Sequence, residues 1–303
     1  MSIVRGMRWP AGTTTLGALV VTAVVAAACN GHDNGTSPKQ PMVNNAQIAS
    51  DVATAAGGEI ASDIADYSSA DTGGARGLMF TPPPSAAAPR AAAPALHART
   101  VCAANIATFQ LANATGSDTL NIDLTWYYFG TAGCQSTFST STTDSIAYTS
   151  VDTLHINGSG WVKHSIRDRA YSVSGSGGPS LSSDTVHVWS GVGQGTDTSR
   201  YTGSPTARAY TGMASDTAAT ITFPHPRNGN PYPTTGTLSL WYDWTLTVTG
   251  ANAETVTVVR HVVATPNGTN DVPLQVLNPS SGALELTCTL DLTARRVVTG
   301  SCH

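Results

Sequence analysis

Charge is scarce in this chain of 303 residues, because Asp, Glu, Lys and Arg together make up only 11% of it. Lysine is the rarest of the four and occurs only as Lys39 and Lys163. A nucleic-acid-binding protein presents a clustered basic patch, and electrostatic binding to anionic lipid headgroups needs one as well. We therefore exclude nucleic acid as a partner and expect no charge-driven attachment to a membrane.

The chain also lacks the motifs of common hydrolases, since Gly-x-Ser-x-Gly, Ser-x-x-Lys and His-Glu-x-x-His do not occur. Glutamate is found only as Glu59, Glu254 and Glu285. Paired carboxylates for glycoside hydrolysis would have to be aspartates, and no spacing singles any out. After Cys29 no apolar run reaches the roughly 18 residues of a transmembrane helix. The sequence thus predicts no catalytic residue and no cofactor, and it favours a protein that is not an enzyme.

A strongly apolar segment over residues 16–28 dominates the start of the chain. Arg5 and Arg8 precede it, and small residues lead from it into Cys29. A basic start, an apolar middle and a small-residue exit form a secretory signal peptide. The exit Ala26-Ala27-Ala28-Cys29 resembles the lipobox of bacterial lipoproteins, in which the cysteine is lipidated and becomes the mature N-terminus.

This resemblance implies that residues 1–28 are removed as a signal peptide and that Cys29 carries a lipid anchor in a membrane. Asn30 would then follow the anchor. In lipoproteins of proteobacterial type an Asp at that position favours retention in the inner membrane. The resemblance therefore implies the outer membrane, with the periplasmic or the surface side left open. The alternative is an ordinary secretory signal cleaved near Ala28.

Beyond the lipobox, four cysteines form an even set in an oxidising compartment: Cys102, Cys134, Cys288 and Cys302. A hairpin turning around Asp118 would place Cys102 opposite Cys134. A hairpin turning around residues 294–296 would place Cys288 opposite Cys302. Directly opposed positions that are not hydrogen-bonded lie within disulfide reach, so we predict these two bonds. Metal binding is the less favoured alternative, because no Cys-x-x-Cys spacing occurs.

Four segments follow the signal peptide, beginning with a polar, flexible tether over residues 29–42. Residues 43–68 predict an amphipathic helix weakened at Gly57-Gly58. Its apolar positions are Ile48, Val52, Ala55, Ala56, Ile60, Ile64 and Tyr67, with Asp51, Glu59, Asp63 and Asp66 between them. We expect the helix to pack on a sheet, and a free partner-binding helix is the alternative. Residues 69–100 are a Gly/Ala/Pro-rich linker.

Residues 101–303 predict a mainly β domain. Apolar residues alternate with polar ones over long stretches, for example from Leu238 to Val248, which indicates strands with one buried face. Short turn clusters join these stretches, and short connections join antiparallel neighbours. We predict a large antiparallel up-and-down meander, either an open sheet, a half-barrel or a sandwich. The glycines of Gly191-Val-Gly-Gln-Gly195 predict a loop.

Aromatic residues concentrate in Trp126-Tyr-Tyr-Phe129 and Trp241-Tyr-Asp-Trp244. We expect most of these rings in the core. The alternative is an aromatic platform for a glycan or an apolar ligand, with Trp126, Trp241 and Trp244 as candidate ligand-binding residues.

His155 and His164 flank one turn, but no third ligand can be named, so we predict no metal site. Arg167 and Arg169 are interpreted as solvated charges.

The features together predict a cell-envelope lipoprotein with a structural or binding role and no enzymatic activity. Its ligand would be an envelope protein, a lipid or a glycan. A secreted hydrolase or a glycan-binding protein is the alternative. A concave apolar sheet face would favour a lipid ligand, whereas a flat sheet with an exposed Trp241 would favour a glycan or a protein partner. Oligomeric state is left open.

Overall fold

The computed structural model describes residues 43–71, 103–112, 118–202, 206–225, 230–250 and 253–303. The predicted signal peptide, Cys29 and the tether lie outside these ranges, as does Cys102. The predicted linker also lies outside them, apart from residues 69–71, which continue the helix.

The helix α1 spans Asn45–Asp71 and begins behind a side-chain cap. The backbone N–H of Gln47 donates to Asn44 Oδ1 at 2.8 Å, which satisfies one free donor of the first turn. The helix continues through Gly57 and Gly58 without a break. A Cβ atom at Gly58 would lie 2.6 Å from the Ile156 side chain, so the two glycines allow the helix to approach the sheet closely.

The strands of the described residues form one 12-stranded antiparallel sheet. They are β1 Asn105–Ala112, β2 Thr119–Gly130, β3 Gly133–Gln135, β4 Thr143–Gly158, β5 Trp161–Gly175, β6 Val186–Tyr201, β7 Ala207–Pro224, β8 Thr235–Thr249, β9 Glu254–Ala264, β10 Asp271–Asn278, β11 Ala283–Asp291 and β12 Arg296–Val297. Each strand pairs with its neighbours in chain order, except that β2 also pairs directly with β4 while β3 folds back on β2. The predicted mainly β, up-and-down meander with one N-terminal helix is confirmed, and the sheet is open.

One face of the sheet, here called the inner face, is turned towards α1. It carries the alternating apolar residues of the long strands, and α1 contacts β6 and β9 to β12. At Gly58 the helix also lies against Ile156 of β4 and Trp161 of β5. The sheet therefore curves around α1, which packs against it as expected and is buried on nearly all sides from Ile48 to Ile64. The opposite side of the sheet is the outer face.

A disulfide joins Cys288 of β11 to Cys302, the pairing predicted from the sequence, with Cα atoms 4.2 Å apart. Near the turn, Leu290 faces Val297, so the ladder does not yet bring the two cysteines into register. Beyond a further turn, Thr287 and His303 exchange both backbone hydrogen bonds. The next pair, Cys288 and Cys302, is then directly opposed, as the disulfide requires.

The register predicted for the other cysteine pair is wrong. In the β1–β2 pair Asn105 faces Trp126, whereas a hairpin centred on Asp118 would place Asn105 opposite Thr131. Cys134 does not lie on the strand that pairs with β1. It lies on β3, where it faces Phe129 of β2. Cys134 is disulfide-bonded, and Cys102, its predicted partner, lies outside the described residues.

Candidate functional site

The three candidate tryptophans do not lie together. Trp126 and Trp244 lie on the inner face and are only 3% and 1% exposed, so neither presents a ring to an external ligand. Trp241 is 44% exposed and points to the outer face, because it is three residues before Trp244 on β8. The expectation that most of these rings lie in the core is correct for Trp126 and Trp244. Of the three candidates, Trp241 alone is available for binding.

Trp241 belongs to a small group on the outer face. Its indole stacks on the His261 ring of β9, with centroids 4.2 Å apart and an interplanar angle of 14°. The Nε2 atom of His261 is hydrogen-bonded to Ser239 Oγ at 2.5 Å. On the other side, on β7, the residue directly opposite Trp241 is Ser215, whose side chain is too small to cover an indole. We call these four residues the Trp241 surface.

The surroundings of the Trp241 surface are mixed in character. Asp243, the next outward residue of β8, is exposed, and so is Met213, which faces it from β7. Partial burial lowers the pKa of His261 and so favours the neutral imidazole. The surface therefore combines an open aromatic ring with neutral hydrogen-bonding groups and one carboxylate.

The Ser239–His261 pair resembles half of a nucleophile and general-base arrangement, but it lacks the remaining parts. Among the described residues no carboxylate holds the second ring nitrogen of His261. The backbone N–H groups of β8 and β9 are engaged in the sheet ladder, so they offer no oxyanion hole. The arrangement can bind a ligand through stacking and hydrogen bonds.

The inner face holds a second set of functional groups that the sequence interpretation missed. Arg167 and Arg169, interpreted as solvated, are buried, and so is the sheet's lysine, Lys163. They meet acidic side chains of α1 and of neighbouring strands. We call this set the interior ion cluster; its members are Asp51, Glu59, Asp63, Asp152, Lys163, Arg167, Arg169, Asp197, Arg208 and Asp216.

Glu59 is the centre of the best-paired part of this cluster. Lys163 Nζ lies 3.1 Å from Glu59 Oε2 and also contacts Asp197. Arg167 contacts Glu59 and places Nη1 3.0 Å from Asp216 Oδ1. Burial alone would raise the pKa of Glu59, but Arg167 and Lys163 outweigh it and lower the pKa to about 2. Glu59 is therefore ionised at any physiological pH.

Arg169 is shared by more carboxylates than it can neutralise. Its Nη1 atom lies 2.6 Å from Asp63 Oδ1 and 3.2 Å from Asp152 Oδ2, and its Nη2 atom lies 3.5 Å from Asp216 Oδ1. Burial raises the pKa of Asp63 to about 8, because the pull of Arg169 offsets it only in part. Burial raises the pKa of Asp152 in the same way.

The third part of the cluster ties the start of α1 to β7. Arg208 contacts both oxygens of Asp51, with Nε at 2.6 Å from Oδ2 and Nη2 at 2.9 Å from Oδ1. The Tyr210 hydroxyl donates to Asp51 Oδ2 at 2.7 Å, and the Tyr201 hydroxyl donates to the Asp51 carbonyl oxygen. A bidentate pair with further donors is the geometry in which a buried carboxylate is best satisfied.

Gly193 on β6 makes room for two of these charged side chains. Residues 191–195, predicted as a loop, lie within β6. A Cβ atom at Gly193 would lie 2.8 Å from Arg169 Cγ and would also collide with the Asp216 carboxylate. Gly193 therefore leaves space for the ion cluster, whereas a Cβ atom at Gly191 or Gly195 would collide with the backbone of β5. The glycines serve close packing inside the sheet, so the loop prediction is wrong.

His155 and His164 are direct cross-strand partners, with ring centroids 6.4 Å apart. Asp152 faces Arg167 in the ladder rather than His164. In the ranges covered by the structure, no group of three or more His, Cys, Asp or Glu residues is arranged to hold a metal ion.

No family model, curated protein or solved structure matches this chain. Among the described residues, no helix combines the length and apolar character needed to cross a membrane. The chemistry of the two sets of side chains therefore carries the functional conclusion.

Proposed function

We propose that this chain is a cell-envelope lipoprotein, anchored through a lipid on Cys29, that binds a glycan on the outer face of its sheet and catalyses no reaction. The observation that carries the binding role is the exposed, stacked indole of Trp241 on a strand whose other large aromatics are buried. The anchor and the outer-membrane location rest on the resemblance of residues 26–29 to a lipobox.

The inner face is a poor candidate for lipid binding, because α1 fills the concave side of the described sheet. The outer face offers a ring that a pyranose can stack on, beside the small side chain of Ser215. Ser239, His261 and Asp243 supply hydrogen-bonding groups next to it. An aromatic ring beside a few well-placed polar groups is a common composition of a small-ligand site.

A protein partner is the second candidate, since Met213 and Ile166 extend the apolar area of the outer face. They are 53% and 42% exposed, and Thr196 lies between them in the ladder. Exposed tryptophan and methionine are enriched at protein interfaces.

Titration of a panel of soluble cello-, chito- and malto-oligosaccharides, followed by tryptophan fluorescence and calorimetry, tests the glycan proposal. We expect Trp241→Ala to abolish binding without changing the melting temperature. Val151→Ala, an exposed apolar residue of the outer face on β4, serves as the control and should bind normally. Binding that survives Trp241→Ala, or no binding by any member of the panel, would contradict the glycan proposal.

Detergent-phase partitioning of the full-length protein expressed in a bacterium tests the anchor. We expect the wild type to enter the detergent phase and Cys29→Ser to stay in the aqueous phase. Equal partitioning of the two forms would contradict lipidation.

A further inference from the structure

Two carboxylates of the interior ion cluster approach the same nitrogen atom. Asp63 Oδ1 and Asp152 Oδ2 lie 2.6 and 3.2 Å from Arg169 Nη1, so the two oxygens are at most about 5.8 Å apart, the sum of these distances. The third neighbour, Asp216, has a better cation of its own, because Arg167 Nη1 lies 3.0 Å from it. Within the part of the chain that the structure describes, one guanidinium therefore serves two carboxylates that have no other basic partner at this distance.

These groups surround a small cavity. Asp63, Asp152, Ser165 and Arg169 line it, and Asp152 is only 2% exposed. Among the described residues, neither oxygen of Asp152 and only one oxygen of Asp63 accepts a hydrogen bond of normal geometry, although the nearby Ser150 hydroxyl partly offsets the raised pKa of Asp152. A buried anion without donors is costly, and such a group normally takes up a proton instead. The cavity gives an O–H on one carboxyl room to point towards the other.

In the interior ion cluster as a whole, carboxylates also outnumber cations. It contains six carboxylates, Asp51, Glu59, Asp63, Asp152, Asp197 and Asp216, and four cations, Lys163, Arg167, Arg169 and Arg208. Full ionisation would leave two uncompensated negative charges away from water. Two nearby carboxylates in such a site cannot both ionise easily.

We infer that Asp63 and Asp152 form a proton-binding site that holds one proton at neutral pH and links the docking of α1 to pH. Asp63 belongs to the helix, whereas Asp152 and Arg169 belong to the sheet, so this proton lies at the helix–sheet interface. Loss of the proton leaves two anions facing one cation across that interface. The charged groups that face Asp63 are Glu59 on α1, Asp152 on β4, Arg167 and Arg169 on β5, and Asp216 on β7.

The direction of the pH effect follows from the raised pKa of Asp63. In the unfolded chain this carboxyl ionises near pH 4, whereas in the folded protein it does so at about 8. Between these values the unfolded state releases a proton that the folded state keeps, so stability falls as the pH rises. Each pH unit in that window lowers the folding equilibrium constant up to about tenfold through this site.

Denaturant unfolding of the full chain between pH 5 and 9 tests the site. We expect Asp63→Asn or Asp152→Asn, which mimic the neutral carboxyl, to abolish most of the decline seen in the wild type. The control is Asp168→Asn, an exposed residue of the outer face on β5, which should keep the wild-type slope. Wild-type slopes in both Asp63→Asn and Asp152→Asn would overturn the inference.

Infrared spectroscopy of the wild type gives an independent reading that does not depend on how well a variant folds. At pH 7 we expect the carbonyl stretch of a buried protonated carboxylic acid, disappearing above pH 9 and absent from whichever Asn variant folds. A wild-type spectrum at pH 7 without this band would overturn the inference.

Discussion

On strand β5 the charged side chains are buried and apolar side chains are exposed, which is the reverse of what hydropathy predicts. Its inner face carries Lys163, Arg167 and Arg169, all buried, while its outer face exposes Val162 and Ile166. The cations are buried because α1 and the neighbouring strands bring carboxylates to them. The comparison teaches that the partner available on a face, rather than the polarity of the side chain alone, decides which face is covered.

Such an arrangement is stabilising only as long as it is complete. Buried ion pairs repay their desolvation when the geometry is good, but removal of one member leaves an uncompensated buried charge. The outer face carries no comparable penalty, because water can solvate any group there. Matched substitutions on the inner and outer faces therefore measure how much more the inner face contributes to the free energy of unfolding.

Loss of Arg167 should have the largest effect. Arg167→Met leaves Glu59 and Asp216 without a cation that contacts both, so we expect the free energy of unfolding to fall by about 3–5 kcal/mol. Arg200→Met, on the outer face of β6, is the control and should change it by less than about 0.5 kcal/mol. Urea denaturation at pH 7 measures both losses. Equal losses would show that the buried ion pairs contribute no more to stability than an exposed arginine does.

The two tryptophans of β8 provide the same contrast for apolar side chains. Trp244→Ala removes a core ring beside Tyr210 and Tyr242, and we expect a loss of about 3–5 kcal/mol. Trp241→Ala should cost less than about 0.5 kcal/mol, because its ring is partly solvated. Thermal and urea unfolding of the two variants check this, and a large loss in Trp241→Ala would make its role structural instead of ligand binding.

A smaller effect is expected at Gly193 of β6. An added methyl group would displace Arg169 or Asp216, so Gly193→Ala should cost about 1–3 kcal/mol although Ala normally suits a strand better than Gly. Gln194→Ala, the next residue and on the outer face, should be nearly neutral. A stabilising Gly193→Ala in urea denaturation would mean that the ion cluster has room to rearrange.

The meander could be predicted from the sequence because each long strand keeps one apolar face, as from Leu238 to Val248. The ion cluster could not, because Val162 and Ile166 alternate as regularly as a buried face would. The acidic residues of α1 posed the same difficulty. Asp51, Glu59 and Asp63 lie on one ridge of the helix, a pattern that suits solvent equally well when the facing arginines are unknown.

The pairing predicted for Cys288 and Cys302 is confirmed, whereas the register predicted for Cys102 and Cys134 is wrong, and the reason is related. Strand β11 has a clear apolar alternation, from which the strand position of Cys288 could be predicted. The turn between β1 and β2 lies in a run of residues that permits several centres, and the reversal at residues 131–132 creates the short strand β3. A register depends on such turns, and an error there changes every pairing that follows.

Amide hydrogen exchange of the full chain tests most directly whether α1 is an internal part of the fold, enclosed by the sheet and held by the ion cluster. We predict that the amides from Val52 to Ile64 exchange as slowly as those of β8, through global unfolding alone. Rapid exchange of α1 while β8 stays protected would contradict this account, because it would show a helix that leaves the sheet freely.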